Sequence, residues 1–251
     1  MKETVVVCDN SEYLTQAVAC AEKAGAKLMT HIDAKSDMGD KLILRFGPDG
    51  VTLTGAGGTM RGDFASMLPR LKTGNMQHEL LVKAVRIKGC IPKVMDATAG
   101  MGEDSLILAA AGFDVTMYEY NPIIAALLAD AMKRAVNDTQ LCNIVSRMHL
   151  NCADSTEAMK NSGGAYDVIL LDPMFPDRKK SALVKKKFQI LHDVERPCLH
   201  ERELLEAALM AKAKKTVIKR PVKGAYLAGI KPDYSLAGKV IRFDVISRKD
   251  I

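Results

Sequence analysis

The chain has 251 residues, of which 48% are hydrophobic and 26% are charged. A chain of this size can build one sizeable core and a smaller second unit. The formal net charge is +6, from 36 basic and 30 acidic residues, so a polyanionic partner is compatible with the composition but not required by it.

Several classes of protein are excluded by the apolar and cysteine patterns. No apolar run approaches the length that spans a membrane, and the stretch at residues 5–8 is too short for a signal peptide. The six cysteines are scattered without paired zinc-ligand spacing, and the five histidines form no metal-binding motif. We therefore expect a cytoplasmic protein with reduced thiols, no bound metal and no membrane association.

Residues 1–75 are predicted to form a small N-terminal α/β module. Gly47-Pro48-Asp49-Gly50 predicts a hairpin turn, and we expect loops at 55–58 and 73–74. No catalytic constellation occurs in the module, so substrate recognition, bracing of the core and dimerisation all stay open. A second domain, residues 76–251, begins with an amphipathic helix at 77–87. The predicted strands of the module are 4–8, 27–32, 41–46 and 50–54, with a helix at about 11–24.

A glycine turn follows the first predicted strand of the second domain. Residues Asp96 to Gly102 read Asp-Ala-Thr-Ala-Gly-Met-Gly, and a helix is expected at 105–111. Small residues and Gly100 let the backbone approach a ligand closely. The dehydrogenase fingerprint needs a third glycine near Ser105, and no Gly-Lys-Ser/Thr phosphate loop is present. The Asp-x-x-x-Gly-x-Gly pattern instead resembles the first motif of enzymes that use S-adenosylmethionine (SAM).

Two further carboxylates follow the next predicted strands. The strand at 114–118 ends at Glu119, about 20 residues past the glycine turn, where an acid accepts hydrogen bonds from both ribose hydroxyls. The strand at about 148–152 leads to Asp154 and Ser155. We expect Asp154 to receive the adenine amino group and Ser155 to cap the following helix.

Asp172 follows a buried strand at 168–171 and begins the sequence Asp-Pro-Met-Phe-Pro. This resembles the (Asp/Asn)-Pro-Pro-(Phe/Tyr) signature of methyltransferases that modify amino nitrogens. An amine conjugated to an aromatic base is a poor nucleophile, because its lone pair is delocalised. The Asp172 side chain, with the carbonyl of Asp172 or Pro173, would accept both amine hydrogens, and Phe175 would stack on the base. The alternative is a simple strand-terminating turn, since Asp-Pro is ordinary turn chemistry.

The glycine turn, Glu119, Asp154 and Asp172 all follow predicted parallel strands, and open α/β sheets bind ligands at that edge. Strands 168–171 and 216–218 are near-continuous apolar runs, as expected when helices cover both faces of a sheet. We predict a Rossmann-like class I methyltransferase sheet, mostly parallel with an antiparallel strand at 240–246, plus the N-terminal α/β module.

Residues 177–187 carry six basic side chains beside the proposed amine pocket. A charged loop is often only a solvated face, but clustered cations next to a base-modifying motif would bind RNA phosphates through counterion release. Basic residues within 212–220 are expected to add to this electropositive region. The predicted substrate contacts are Arg178, Lys179, Lys180 and Lys185.

Three segments together resemble one bacterial family. They are Asp96-Ala-Thr-Ala-Gly, Glu119-Tyr-Asn-Pro, and Leu171-Asp-Pro-Met-Phe-Pro followed by Lys180-Ser-Ala-Leu-Val-Lys-Lys. From about residue 80 to 243 the chain is similar to the SAM-dependent guanine-N2-methyltransferases of small-subunit (16S) ribosomal RNA, the J member of the Rsm set. With the glycine motif, the resemblance implies cofactor contacts at Gly100, Glu103, Asp104, Glu119, Tyr120, Asp154, Ser155 and Asp172.

The predicted reaction is a direct displacement that yields S-adenosylhomocysteine and a monomethylated guanine. The base would be splayed out of the RNA to reach the pocket. Whether Asp172 also removes the proton stays open, because the amine becomes acidic only when methyl transfer is advanced.

Other functions are compatible with parts of this pattern. An amino methyltransferase acting on DNA adenine or protein glutamine would share the fold and a related motif. A non-catalytic RNA-binding ribosome assembly factor and a nicotinamide enzyme are the remaining alternatives. The sequence leaves open the oligomeric state and whether the substrate is naked RNA, an assembling particle or a finished subunit.

Overall fold

The computed structural model describes residues 2–30, 41–173, 190, 193–194 and 200–248, which form a five-stranded and a seven-stranded sheet. Some predicted site residues lie outside these ranges, and the structure does not test them. They are Phe175, Arg178, Lys179, Lys180 and Lys185.

The five-stranded sheet belongs to the N-terminal part of the chain and has the strand order β2-β1-β3-β4-β5. β1 is parallel to both β2 and β3, and β3, β4 and β5 form antiparallel hairpins. A single 3-10 turn, Ser11–Tyr13, precedes α1 (Leu14–Ala24). The strands are β1 Thr4–Cys8, β2 Lys27–Met29, β3 Leu42–Gly47, β4 Gly50–Gly55 and β5 Gly58–Met60.

The predicted hairpin is confirmed, since Gly47 pairs with Gly50. The predicted loop at 55–58 is wrong at both ends, because Gly55 ends β4 and Gly58 begins β5. The predicted loop at 73–74 begins a short helix, α2 (Thr73–Met76), and the helix predicted at 77–87 is reduced to α3 (Leu80–Val85). Elements of three or four residues are too short to show a period of 2 or 3.6 in sequence.

The seven-stranded sheet has the order β11-β12-β10-β9-β6-β7-β8. Strands β10, β9, β6, β7 and β8 are parallel, whereas β12 is antiparallel to β10 and β11 is antiparallel to β12. The predicted mostly parallel sheet with an antiparallel strand near the C-terminus is confirmed. The strands are β6 Lys93–Asp96, β7 Asp114–Tyr118, β8 Met148–Asn151, β9 Val168–Leu171, β10 Lys215–Pro221, β11 Tyr234–Ala237 and β12 Ile241–Ser247.

Helices cover both faces of this sheet. Alternate strand residues point to opposite sides, so Val94 and Leu170 pack with α3, α4 and α6, while Met95 and Ile169 pack with α7 and α8. None of the helices in the described ranges is both long and apolar enough to cross a membrane. The helices are α4 Glu103–Ala110, α5 Pro122–Val136, α6 Cys142–Val145, α7 Ser155–Lys160 and α8 Glu201–Met210.

Helix α5 is shared by two hydrophobic cores. Leu128 and Ala131 pack with the seven-stranded sheet, whereas Ile124 and Leu127 pack with the strands of the five-stranded sheet. The helix begins as predicted, with proline in its first position. The Asn121 side chain accepts a hydrogen bond from the backbone N–H of Ile123 at 3.0 Å. The N-terminal sheet is therefore a packing partner of α5.

Removing the side chain of Leu127 tests this packing. Leu127 is fully buried (0% exposed), so Leu127→Ala should lower the free energy of unfolding by about 2–5 kcal/mol through lost burial and a residual cavity. Urea unfolding followed by circular dichroism measures the change. Val136→Ala on the same helix is the control, because Val136 is 60% exposed and should change stability by less than about 0.5 kcal/mol. Equal effects of the two substitutions would contradict the assigned packing.

Candidate active site

The site lies where the strand order reverses. β6 pairs with β7 on one side and with β9 on the other, so the chain segments that leave β6 and β9 meet at their carboxyl ends. Two hydrogen bonds join these segments. The backbone N–H of Asp172 donates to the hydroxyl oxygen of Thr98 at 2.6 Å, and the N–H of Ala97 donates to the carbonyl of Leu170 at 3.0 Å. Asp172 and the glycine turn therefore lie together at the carboxyl edge of the sheet.

The turn after β6 depends on two glycines in the left-handed region, Gly100 (φ 54°) and Gly102 (φ 74°). A Cβ at Gly102 would lie 2.6 Å from a methyl carbon of Leu128, so this position is restricted by packing as well as by backbone conformation. A Cβ at Gly100 would meet no atom within 4 Å, which leaves room beside the backbone for a ligand. The helix predicted at 105–111 begins two residues earlier, so Glu103 and Asp104 lie in the first turn of α4.

Glu119 follows β7 and is buried, with 6% exposed. One carboxylate oxygen accepts the N–H of Gly100 at 2.9 Å, and the other accepts the N–H of Asn121 at 2.8 Å. Burial raises the pKa of this carboxyl group, while the backbone donors act in the opposite direction. The side chain thus connects the glycine turn to the start of α5, and each oxygen has a second lone pair for a ligand.

Asp96 anchors the same turn from inside the protein. Its carboxylate accepts the Ser105 hydroxyl at 2.6 Å and the Thr98 N–H at 3.2 Å. Burial raises the pKa of Asp96 to about 7, although the Ser105 hydrogen bond lowers it. Ser105 occupies the position near which a dinucleotide fingerprint has its third glycine. Here its hydroxyl ties the first turn of α4 to β6.

Asp172, Lys219 and Asp104 form a partly buried ion triad. Lys219 Nζ lies 2.9 Å from Asp172 Oδ2 and 2.5 Å from Asp104 Oδ2, and its side chain is only 17% exposed. Burial alone would lower the pKa of Lys219, but the carboxylates of Asp172 and Asp104 outweigh it and raise the pKa. The triad joins three segments: α4, the end of β9 and β10.

The predicted contribution of residues 212–220 to an electropositive surface beside the pocket is wrong. Lys215 pairs with the first residue of β9, so the lysines at 212–215 are at the opposite edge of the sheet from Asp172. Lys214 forms an ion pair with Asp167 at 2.9 Å. Lys219 is enclosed by carboxylates, and Arg220 is buried and donates to a backbone carbonyl at 2.8 Å.

The remaining predicted cofactor residues lie at neighbouring strand ends. Asp154 follows β8 and caps α7, since its carboxylate accepts the Thr156 N–H at 2.7 Å. The prediction that Ser155 is the cap is wrong, because the extended backbone that marks a cap is at Asp154 and Ser155 is the first helical residue. Tyr120 is exposed beside Glu119, and Glu103 is exposed at the start of α4.

Three residues of this region were missed as site residues: Thr98, Ser105 and Lys219. The hydroxyls carry no signal of their own in a sequence. Lys219 does carry one, because it directly follows the apolar residues Val217 and Ile218 of a predicted buried strand, and a lysine in such a strand needs a counter-charge. Over the ranges that the structure describes, no group of three or more histidine, cysteine, aspartate or glutamate side chains is arranged to hold a metal ion.

The strand order, the glycine turn and the acid after the second parallel strand define a Rossmann-like SAM-dependent methyltransferase. A family model described as "Putative SAM-dependent methyltransferase" matches residues 27–248. A solved structure of a SAM-dependent methyltransferase from Neisseria gonorrhoeae is 28% identical and superposes with a TM-score of 0.74, covering 96% of this chain and 95% of that one.

Curated relatives narrow the class to a family. The ribosomal RNA small subunit methyltransferase J of Pseudomonas paraeruginosa is 42% identical over 213 residues, which cover 82% of this chain and 78% of the relative. The protein of the same name from Hahella chejuensis is 36% identical over 260 aligned positions, covering 99% of this chain and 97% of the relative. The chain therefore belongs to the ribosomal RNA small subunit methyltransferase J family, and the resemblance found in the sequence is confirmed.

The pKa of Asp96 predicts a pH-dependent stability. Its folded-state pKa of about 7 lies above the ordinary 3.8, so the folded protein binds this proton more tightly than the unfolded chain. The stability contribution is complete below about pH 4 and is lost as the pH rises through 7. Asp96→Asn cannot titrate, so the stability of the variant minus that of the wild type should increase with pH, by at most about 1.4 kcal/mol per unit.

Urea unfolding of both proteins at pH 5, 6, 7 and 8 measures this difference. Asp167→Asn is the control, because an ion pair with Lys214 lowers the pKa of Asp167 and its titration falls below this range. A difference for Asp96→Asn that is constant across the four pH values would contradict a raised pKa.

Proposed function

We propose that this chain transfers the methyl group of SAM to the exocyclic N2 amine of a specific guanine in 16S ribosomal RNA. The carrying observation is the position of Asp172, whose backbone is bonded to Thr98 of the glycine turn and whose carboxylate is held by Lys219. The relatives' name specifies small-subunit ribosomal RNA as their substrate. The Asp172 carboxylate supports an amine as the target, because it can accept the hydrogens of an exocyclic amino group.

The residues around the glycine turn fit SAM. Gly100 leaves space beside the backbone, and the buried Glu119 carboxylate faces the same turn through its bond to Gly100. In this proposal Glu119 accepts the ribose hydroxyls and Asp154 accepts the adenine amino group. Asp104 contributes through its ion pair with Lys219. Further contacts are proposed for Glu103, Tyr120, Ser155 and Asp172.

The amine is activated by position and hydrogen bonding. Bound SAM supplies a methyl group on positively charged sulfur, and the reaction needs a nitrogen lone pair aligned with it. The Asp172 carboxylate and the carbonyl of Asp172 or the buried Pro173 would accept both amine hydrogens, which turns the lone pair away from the ring. We propose that Phe175, outside the described residues, stacks on the guanine.

The ribosomal RNA backbone would be held by the basic segment after the Asp172 motif. Arg178, Lys179, Lys180 and Lys185 are proposed to bind phosphates and to set the position of the target without reading its sequence. The guanine would be unstacked to enter the crevice. An enzyme with this substrate works where ribosomes assemble, so we propose the cytoplasm as its location and the small ribosomal subunit as its partner.

Replacing Glu119 tests the cofactor part of the proposal. In Glu119→Gln the amide NH₂ must face the N–H of either Gly100 or Asn121, so one backbone donor loses its acceptor. The Kd for SAM should rise at least about 10-fold, measured by isothermal titration calorimetry. Glu157→Gln on the exposed face of α7 is the control and should leave the Kd unchanged. An unchanged Kd in Glu119→Gln would remove Glu119 from the cofactor site.

Replacing Asp172 tests the amine part. The assay is tritium transfer from labelled SAM to small subunits or 16S RNA of a strain lacking this gene, with the labelled nucleoside identified by mass spectrometry. We expect label in N2-methylguanosine at one site, and a loss of at least about 100-fold in Asp172→Ala. Asp167→Ala is the matched control, because Asp167 precedes the same strand at the opposite edge of the sheet.

Different outcomes point to different errors. Label in another nucleoside would reject the guanine N2 target and retain the substrate RNA. Label only in DNA adenine or protein glutamine would reject the RNA. Nearly intact activity of Asp172→Ala would reject the amine-positioning role.

A further inference from the structure

We propose that Lys219 is a positioning residue that keeps the Asp172 carboxylate ionised and aimed for the amine, and that links it to the glycine turn through Asp104. The inference rests on the proposed function of Asp172. It adds a residue in β10 that is distant in sequence from both Asp104 and Asp172 but contacts both in the structure.

The geometry supports a fixed orientation rather than a loose surface pair. Lys219 extends from β10, which pairs with β9 up to the residue before Asp172. Its ammonium group lies within 3 Å of both carboxylates, and the side chains of Asp104 and Asp172 are 18% and 27% exposed. Asp172 is also fixed by its backbone bond to Thr98. Two independent contacts therefore set where its carboxylate points.

Electrostatics explain why a cation is needed at this point. Asp104 and Asp172 both act on the buried Asp96 and raise its pKa, so three acids repel one another at this edge. Loss of the Lys219 charge would favour protonation of one of them. A protonated Asp172 presents a hydrogen to the amine where an acceptor is required. Lys219 therefore keeps Asp172 in the form that accepts.

Other charged groups act on the triad from the surrounding elements. The guanidinium of Arg70 interacts electrostatically with Asp104 and is itself bonded to Glu79. Arg220, the neighbour of Lys219, interacts with Asp172 and with Glu201. None of these groups is itself substituted in a Lys219 variant, so a shift in pH dependence is attributed to Lys219.

Two substitutions separate charge from packing. Lys219→Met keeps much of the volume and removes the charge, whereas Lys219→Arg keeps the charge. Methyl transfer is measured from pH 6 to pH 9 at saturating SAM and over a range of small-subunit concentrations, which gives kcat and KM separately. We expect kcat of Lys219→Met to fall about 10-fold near pH 7 and less at pH 9, with the acid limb moved upward by at least one pH unit, and KM for RNA unchanged. Lys219→Arg should recover most of the activity.

A second readout does not need the RNA substrate. Carbon-13 NMR of the aspartate carboxyl carbons, with Asp172→Asn to identify the resonance, follows protonation directly. Asp172 should titrate at a higher pH in Lys219→Met than in the wild type. The proposed function fails if wild-type protein labels no guanine, whereas the Lys219 inference fails if this titration is unchanged.

Two results would overturn the inference. One is a loss of kcat in Lys219→Met that is the same at every pH and is shared by Lys219→Arg, which indicates a structural role. The other concerns Asp104→Asn, the variant to use if Lys219→Met does not fold. Removing this negative charge should move the titration of Asp172 to lower pH, and a shift in the opposite direction would contradict the triad.

Discussion

The pairing of β6 with β9 is the constraint on which the rest of this structure depends. These two parallel strands are distant in sequence but end side by side. The segment after β6 leads to β7 on one side of the pair, and the segment after β9 leads to β10 on the other, so the two segments diverge. The crevice between them receives Asp172 from one strand and the glycine turn from the other. Neighbouring strands then place Glu119 and Asp154 along the same edge. Topology, more than any single contact, brings together Thr98 and Asp172, which are 74 positions apart in sequence.

This arrangement brings several acidic side chains close together, and their negative charges are stabilised by different kinds of partner. Glu119 accepts backbone N–H groups, Asp96 accepts a hydroxyl and an N–H, and Asp104 and Asp172 share an ammonium group. These partners differ in strength. Neutral donors leave Asp96 with a raised pKa, while an ion pair suits a carboxylate that has to stay charged. The type of partner therefore differs between Asp96, which supports the glycine turn, and Asp172, for which we propose a role toward the substrate amine.

Most of the fold and much of the site were accessible from sequence for an identifiable reason. Buried parallel strands such as β9 are continuous apolar runs, and the residues at the carboxyl edge of the sheet come directly after them, so Glu119 and Asp172 could be located by position alone. Short elements such as β5 and β11 were not predicted, because three or four residues are too few to show the periodicity of a strand or a helix. The lysines were misjudged for a different reason. Composition records that Lys214, Lys215 and Lys219 are near one another in sequence, but only the register of β10 against β9 separates the two edges.

Helix α5 connects the N-terminal sheet to the segment that carries Glu119, for which we propose contact with the cofactor. The helix starts three residues after Glu119, and its first turns are buried against the five-stranded sheet by Ile123, Ile124 and Leu127. A domain boundary near residue 75 separates the five-stranded sheet from α5. Without that sheet, these apolar side chains of α5 would be exposed to water. For the construction of chimeras between relatives, the exchangeable unit is therefore the first sheet together with α5. The N-cap residue of this helix, Asn121, donates its backbone N–H to Glu119, so an exchange that includes the cap would also move one of the two backbone donors to that carboxylate.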